Sequence, residues 1–238
     1  MSVPVLEIAN VSKNYGGLRP LRVQALSVAE REHVAITGFD QPMAEVFVNL
    51  VTGASLPDQG EVRVFGRPTS GIADSAEWLT VVDRFGIVSE RSVMLEAMTA
   101  LQNLALPFTL EIEPPSEESA ARATTLAREV GLSEAECGRP LATLDGTSRA
   151  LVRLARAVAL DPDVLLLEHP TATVDRQHVP AVGKQYRSVA SHRGAAILAL
   201  TADQAFAEAV ATRVLKLDPA TGRLMEHTGS RWLSRWLG

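Results

Sequence analysis

Apolar residues along this chain recur at two periods, and the switches between them outline a fold. Residues 3–8 and 21–28 alternate apolar and polar, as half-buried strands do, with a Tyr15-Gly16-Gly17 turn between them. Residues 34–37 form a short buried strand, and residues 42–51 carry helical apolar spacing that stops at Gly53. Strands are predicted at residues 60–66, between turn glycines, and at residues 85–88. From Glu96 to Val158 the pattern turns helical, with helices over 98–106, 116–130 and 147–159 punctuated by Pro107, Pro114-Pro115 and Gly131. Val164-Leu165-Leu166-Leu167 is a continuous apolar run, typical of a parallel strand buried on both faces. A helix near 177–190, a strand at 195–200, a helix at 203–211 and strands at 213–217 and 223–225 complete the chain. This alternation predicts an α/β fold: a mainly parallel sheet, an N-terminal antiparallel β portion, and a helical block at about 91–160 inserted into the core. We expect one domain over residues 1–228 and an amphipathic tail over 229–238.

Composition narrows the function classes. Of 238 residues, 46% are hydrophobic and 21% charged, enough apolar surface for a packed core. The net charge of −5 argues against a dedicated nucleic-acid binder, so no nucleic-acid partner is expected. A single cysteine, Cys137, supports neither a disulfide framework nor a cysteine metal site within the chain and reads as an ordinary helical-block residue. The N-terminus lacks a basic region followed by an apolar run, and no apolar stretch reaches the roughly 18–20 residues of a membrane helix. A cytoplasmic location is expected, with membrane contact made through a partner.

The candidate chemistry centres on residues 34–47, a strand, a turn and a helix start with the length of a phosphate-binding loop. In G-x-x-x-x-G-K-[ST] the glycines admit backbone N–H groups to the phosphates, the lysine neutralises them and the hydroxyl holds Mg²⁺. Here Gly38 opens the loop, but Met43, Ala44 and Glu45 stand where the second glycine, the lysine and the hydroxyl residue belong.

Several segments, in order and at matching spacing, resemble the nucleotide-binding subunit of ATP-binding cassette (ABC) transporters. Val11 to Gly16 looks like the opening strand, with Tyr15 where an aromatic ring stacks on adenine; Asp58-Gln59-Gly60-Glu61-Val62 and Thr99 to Pro107 match further family segments. Leu154 to Leu167 is close to the signature helix and Walker B strand, and Pro170 to Asp175 to the loop after it. The likeness is greatest to the small-exporter and lipoprotein- or cell-division-type ATPases. The resemblance implies a P-loop-type ABC ATPase core with a helical subdomain insertion. It also implies a transmembrane permease subunit as partner, a homo- or heterodimer with another ABC ATPase, and a peripheral place at the inner face of the cell membrane. By the same resemblance, nucleotide-binding positions fall on Tyr15, Gly38, Ala44, Glu45, Val46 and Glu90, and the signature on Leu144, Asp145, Gly146, Thr147 and Ser148.

Departures from the family pattern concentrate at the chemistry. Glu90 stands for the Q-loop glutamine, Asp145 for the signature serine, Glu168 for the Walker B aspartate, His169 for the catalytic glutamate and Ala202 for the switch histidine. Asp40 is placed to cap the helix that would otherwise receive phosphate. Losing the lysine at Ala44 removes charge-assisted bonds of roughly 1.5–3 kcal/mol. A carboxylate about 4 Å from phosphate adds about 4 kcal/mol of repulsion at an effective dielectric near 20. ATP binding should fall by several orders of magnitude. Asp145 would also point a negative charge at the γ-phosphate held by a partner subunit, so both halves of the shared site are affected.

Plainer readings stand beside these. Tyr15 is an adenine platform or a turn tyrosine packed on the sheet; Glu168 is a metal ligand or a structural strand-end carboxylate; His169 is a base or a relic. Glu45, Glu90, Asp145 and Glu168 together form a new oxygen-ligand cation site, or are separate solvated carboxylates. Trp232, Leu233, Trp236 and Leu237 share a helical face beside Arg231 and Arg235, which suits a membrane interface, a partner groove or packing on the domain itself. The expectation is a pseudo-ATPase that docks through the surface near Glu90 to Ala100, needs no cofactor and makes no catalytic use of Glu168, His169 or Ala202. Alternatively, it is an active ABC ATPase using ATP and Mg²⁺ through unorthodox ligands, or a free cytoplasmic regulator that reuses the fold to bind protein.

Overall fold

The computed structural model describes residues 4–226. Two sheets form the body. The smaller is antiparallel, in the order β2-β1-β4-β5, from β1 (Leu6–Lys13), β2 (Leu21–Val28), β4 (Gln59–Val64) and the short β5 (Arg67–Pro68). The larger runs β10-β9-β3-β8-β7-β6, from β3 (His33–Thr37), β6 (Phe85–Val88), β7 (Val164–Glu168), β8 (Ala196–Thr201), β9 (Arg213–Asp218) and β10 (Arg223–Glu226). All its pairings are parallel except β9 with β10. Every residue of β3, β7 and β8 is buried, which is why residues 34–36, 164–167 and 196–200 read as unbroken apolar runs.

Side-chain alternation along these strands divides the interior in two. Val164 and Leu166 of β7 join Val34 and Ile36 of β3 beneath the antiparallel sheet and helix α1 (Gln41–Val51). Leu165 and Leu167 face the opposite way, with Tyr186, Phe206 and the helical block. Glu168 keeps the parity of Val164 and Leu166 and therefore points toward α1.

Between β6 and β7 lie α3 (Ala100–Ala105), α4 (Glu117–Val130), α5 (Glu134–Cys137) and α6 (Gly146–Val158). Thr99 and Ser133 make capping boxes with Gln102 and Glu136, and α4 runs from a Ser116 cap to left-handed Gly131. After β7 come α7 (Val179–Arg193) and α8 (Gln204–Val210). The apolar pattern missed the two-residue β5, the four-residue α5 and the longer α2 (Ser75–Val82). None of its residues is fully buried, so it has no core stripe to betray it; an Asp74 cap on the Glu77 amide and a Trp78 Nε1 bond to the Thr52 carbonyl hold it. The tail with Trp232, Leu233, Trp236 and Leu237 lies outside the described residues.

Candidate functional site

The site begins where β3 ends. Gly38 has φ +95°, and a Cβ there would stand 2.9 Å from the Leu217 carbonyl, so the position takes only glycine. Asp40 then caps α1, its Oδ1 accepting from the Met43 amide at 2.8 Å, with Pro42 in the first turn. A carboxylate of the chain thus occupies an amide that a phosphate loop offers to its anion. Ala44 is fully buried in the inner core and Val46 packs half-buried beside it, so neither reaches the loop's mouth. Tyr15 is half-buried over the backbone of Gly17, where an added Cβ would sit 2.8 Å from its Cζ. It borders an open cleft of about 660 Å³ with Gly38, Asp40, Pro42 and Met43. Burial, then the Asp40 charge, pushes the Tyr15 phenol above its ordinary range.

The centre of the site is Arg91, a residue that sequence reasoning passed over. Its Nη2 donates to Glu168 Oε2 at 2.7 Å and its Nε to Glu168 Oε1 at 3.2 Å, while Nη1 lies 3.0 Å from Glu45 Oε1. Gln41, on the first turn of α1, donates its amide to Glu168 Oε1 as well. The Glu168 side chain has no solvent exposure, whereas Arg91 and Glu45 are 41% and 43% exposed. Hydrogen bonding to Glu168 raises the Arg91 pKa beyond its usual value. A signal for Arg91 was present in the sequence. Two acidic departures at positions resembling metal ligands, one on a buried strand, require a cation from somewhere. Gln41 carried no comparable signal.

The four carboxylates weighed as a cation site do not assemble. Glu90 pairs with Arg153 of α6 at 2.6 Å. Asp145 is the cap of α6, its Oδ1 accepting from the Ser148 amide at 2.8 Å. Those bonds hold the Asp145 pKa below the ordinary carboxylate range, with the Ser148 amide the largest cause. Ser148 Oγ bonds Glu136 and Asp145, and Leu144 is buried. Gly146 abuts the loop after β7 so closely that a Cβ would fall 1.8 Å from the Thr173 carbonyl, while Thr147 is half-buried beside it. Among the described residues no group of three or more His, Cys, Asp or Glu side chains is arranged to hold a metal ion. His169 sits at φ +44°, its N–H bonded to the Leu200 carbonyl, and its Nε2 has no hydrogen-bond partner among the described residues. Ala202 is exposed, and Asp203 after it caps α8.

The sequence model of the family described as "ABC transporter" matches residues 46–172, just over half of the chain. The chain belongs to the ABC transporter family. The match starts directly after Glu45, leaving the altered phosphate-loop positions outside it. The methionine import ATP-binding protein MetN of Brucella abortus is 30% identical over 91% of this chain. The chain spans only 58% of that relative's length. The lipoprotein-releasing system ATP-binding protein LolD of Saccharophagus degradans is 27% identical over 85% of this chain and 90% of its own. Among solved structures, cbiO1 from Clostridium perfringens superposes with a TM-score of 0.76 at 20% identity, covering 93% of this chain and 87% of that one. A dimeric bacterial ABC transporter cassette reaches 0.74 at 23% identity over 93% and 98%. These likenesses establish the fold of an ABC ATPase core.

ABC cassettes normally use ATP and Mg²⁺, and the residues of this cassette do not fit that pair. Mg²⁺ demands near-octahedral oxygens at about 2.0–2.1 Å. Both oxygens of Glu168 already accept from Arg91 or Gln41, and Glu45 faces the same guanidinium. A metal charge 4 Å from Arg91 would meet about 4 kcal/mol of repulsion per unit charge at an effective dielectric near 20. On the phosphate side the buried Ala44 methyl offers no charge, and the Asp40 carboxylate already holds the Met43 amide.

Proposed function

We propose that this cassette is a non-hydrolysing ABC subunit that docks on membrane-embedded transporter subunits and contributes shape and contacts in place of ATP turnover. The observation that carries the reading is the Asp40 cap on the Met43 amide: the helix start that would receive a triphosphate holds the chain's own anion, with Ala44 in the lysine position. A groove of about 330 Å³ beside the loop after β6 supports the docking role, lined by Phe85, Ile87, Met94, Leu106, Arg153 and Leu160. Arg153 is 94% buried there, by its 6% exposure, with Nε and Nη1 unpartnered among the described residues, and Val93 nearby is exposed. No helix among the described residues is long and apolar enough to cross a membrane, consistent with attachment at the cytoplasmic face through a partner. The companion is an intact ATPase or a second copy of the chain. We place residues 1–228 in one domain, with the block at about 91–160 inserted.

The test is calorimetric titration of the purified chain with ATP, with and without Mg²⁺, alongside phosphate release and melting temperature. The expected outcome is no heat of binding, no turnover above background and an unchanged Tm. A ligand that binds the native state must stabilise it. An upward Tm shift at millimolar ATP-Mg²⁺ would therefore overturn the proposal, and turnover abolished by Glu168→Gln would establish the active-ATPase alternative.

A further inference from the structure

Two consecutive residues after β6 anchor the chain in opposite directions. Glu90 binds Arg153 on the helical block, and Arg91 binds Glu168 on β7 together with Glu45 on α1. Three nitrogens of Arg91 face carboxylate oxygens at 2.7 to 3.2 Å. The pairing with Glu45 is half-exposed on both sides and contributes little by itself. The pairing with Glu168 differs, because that carboxylate is wholly buried and a buried charge requires a partner. The planar guanidinium presents two donors to one carboxylate and a third to the next, which an ammonium cannot do in this geometry.

We infer that Glu168 and Glu45 constitute a cation site, with Gln41 holding the Glu168 carboxylate in place, and that its permanent occupant is the guanidinium of Arg91, filling in this chain the place of a divalent metal ion. Together with Asp40, which stands in for the anion at the start of α1, this makes the cassette self-liganded. Opposite charges supplied by its own side chains hold α1, the loop after β6 and β7 together with nothing bound. The inference goes beyond the question of turnover, since it concerns what fills the site in nucleotide-free protein.

It predicts that the site accepts a small cation only when Arg91 is removed. Nucleotide-free wild-type protein, Arg91→Ala and Arg91→Lys are compared by melting temperature and by the electron paramagnetic resonance signal of free Mn²⁺. Wild type should neither bind Mn²⁺ nor change its Tm in millimolar Mn²⁺. Arg91→Ala should melt lower, bind Mn²⁺ at least about tenfold more tightly than wild type, and regain Tm with Mn²⁺ or low-millimolar methylguanidinium. Adding Glu168→Gln should abolish that binding and rescue. Arg91→Lys, which keeps a charge and so protects folding, should melt between the two and still resist Mn²⁺. Equal Mn²⁺ binding by wild type and Arg91→Ala would overturn the inference, as would an Arg91→Ala protein that neither cation restores. If Arg91→Ala does not fold, Mn²⁺ binding to Arg91→Lys as weak as to wild type supports it and tighter binding refutes it. Wild-type protein stabilised by ATP-Mg²⁺ but indifferent to Mn²⁺ alone would sink the non-hydrolysing reading and leave the cation site standing.

Discussion

Replacing Arg91 with methionine is the sharpest single perturbation of this structure, because it keeps most of the volume and removes the charge. What remains is the Glu168 carboxylate, unexposed and held, among the described residues, by the Gln41 amide. Breaking a buried ion pair from one side costs about 3–5 kcal/mol, since the other charge is left without compensation. The side chain of Arg91 is 41% exposed, so solvent screens its half of the pair and water can follow it inward. Discounting for this gives about 2–4 kcal/mol. For a chain of this size each kcal/mol moves Tm by about 2–4 °C, so a drop of roughly 5–15 °C is expected. Glu45→Ala removes only the exposed pairing and should cost at most about 1 kcal/mol. The double variant Arg91→Met, Glu168→Leu replaces the pair with apolar groups and should recover most of the loss, as buried pairs exchanged for packed hydrophobes often do. Urea unfolding of all four proteins, compared by midpoint at constant slope, reads these differences directly. If Arg91→Met were as mild as Glu45→Ala, or the double variant were worse than Arg91→Met, the buried charge of Glu168 would not be what Arg91 satisfies, and the argument would fail.

Two further outcomes follow from the same structure. Asp40→Ala should lose about 0.5–2 kcal/mol of cap energy in urea unfolding, yet its vacated amide should make Tm rise with added phosphate or sulfate more steeply than in wild type; equal anion responses would show that Asp40 does not occupy an anion site. Burial pushes the His33 imidazole below the usual histidine range, with Arg187 adding to the shift and the Ala195 carbonyl opposing it. The fold therefore holds His33 neutral while the unfolded chain protonates below about pH 6.5, so the unfolded state binds more protons. The stability it contributes is complete above that pH and is lost as pH falls through the depressed folded value. His33→Gln should flatten this acid limb in urea midpoints measured from about pH 7 to 5, and an unchanged slope would refute the assignment.

Much of the fold was legible because its causes are local. The β2 strand, β6 and the caps Ser116, Gly131 and Asp40 follow from alternation, short apolar runs and the hydrogen-bonding reach of single side chains. The order of motifs, with the altered Ala44, Glu45, Glu168 and His169, likewise stood in the chain before any contact was known. Helix α2 was hidden because a helix that buries none of its residues fully leaves no apolar period to detect.

Which charges meet was decided by tertiary structure alone. Glu45, Arg91 and Glu168 are separated by 46 and 77 residues in sequence and come together only because α1, the loop after β6 and the end of β7 converge. Neighbours in sequence can part company just as completely: Glu90 and Arg91 face opposite lobes. Sequence by itself determined the family frame and the loss of the usual ligands, because strand period, caps and motif spacing are properties of contiguous residues. The Asp40 cap is local and was legible with them, but the pairing of Arg91 with Glu168 and Glu45 was settled in space, because the partner of a buried charge depends on which distant side chain the packed elements bring within about 3 Å of it.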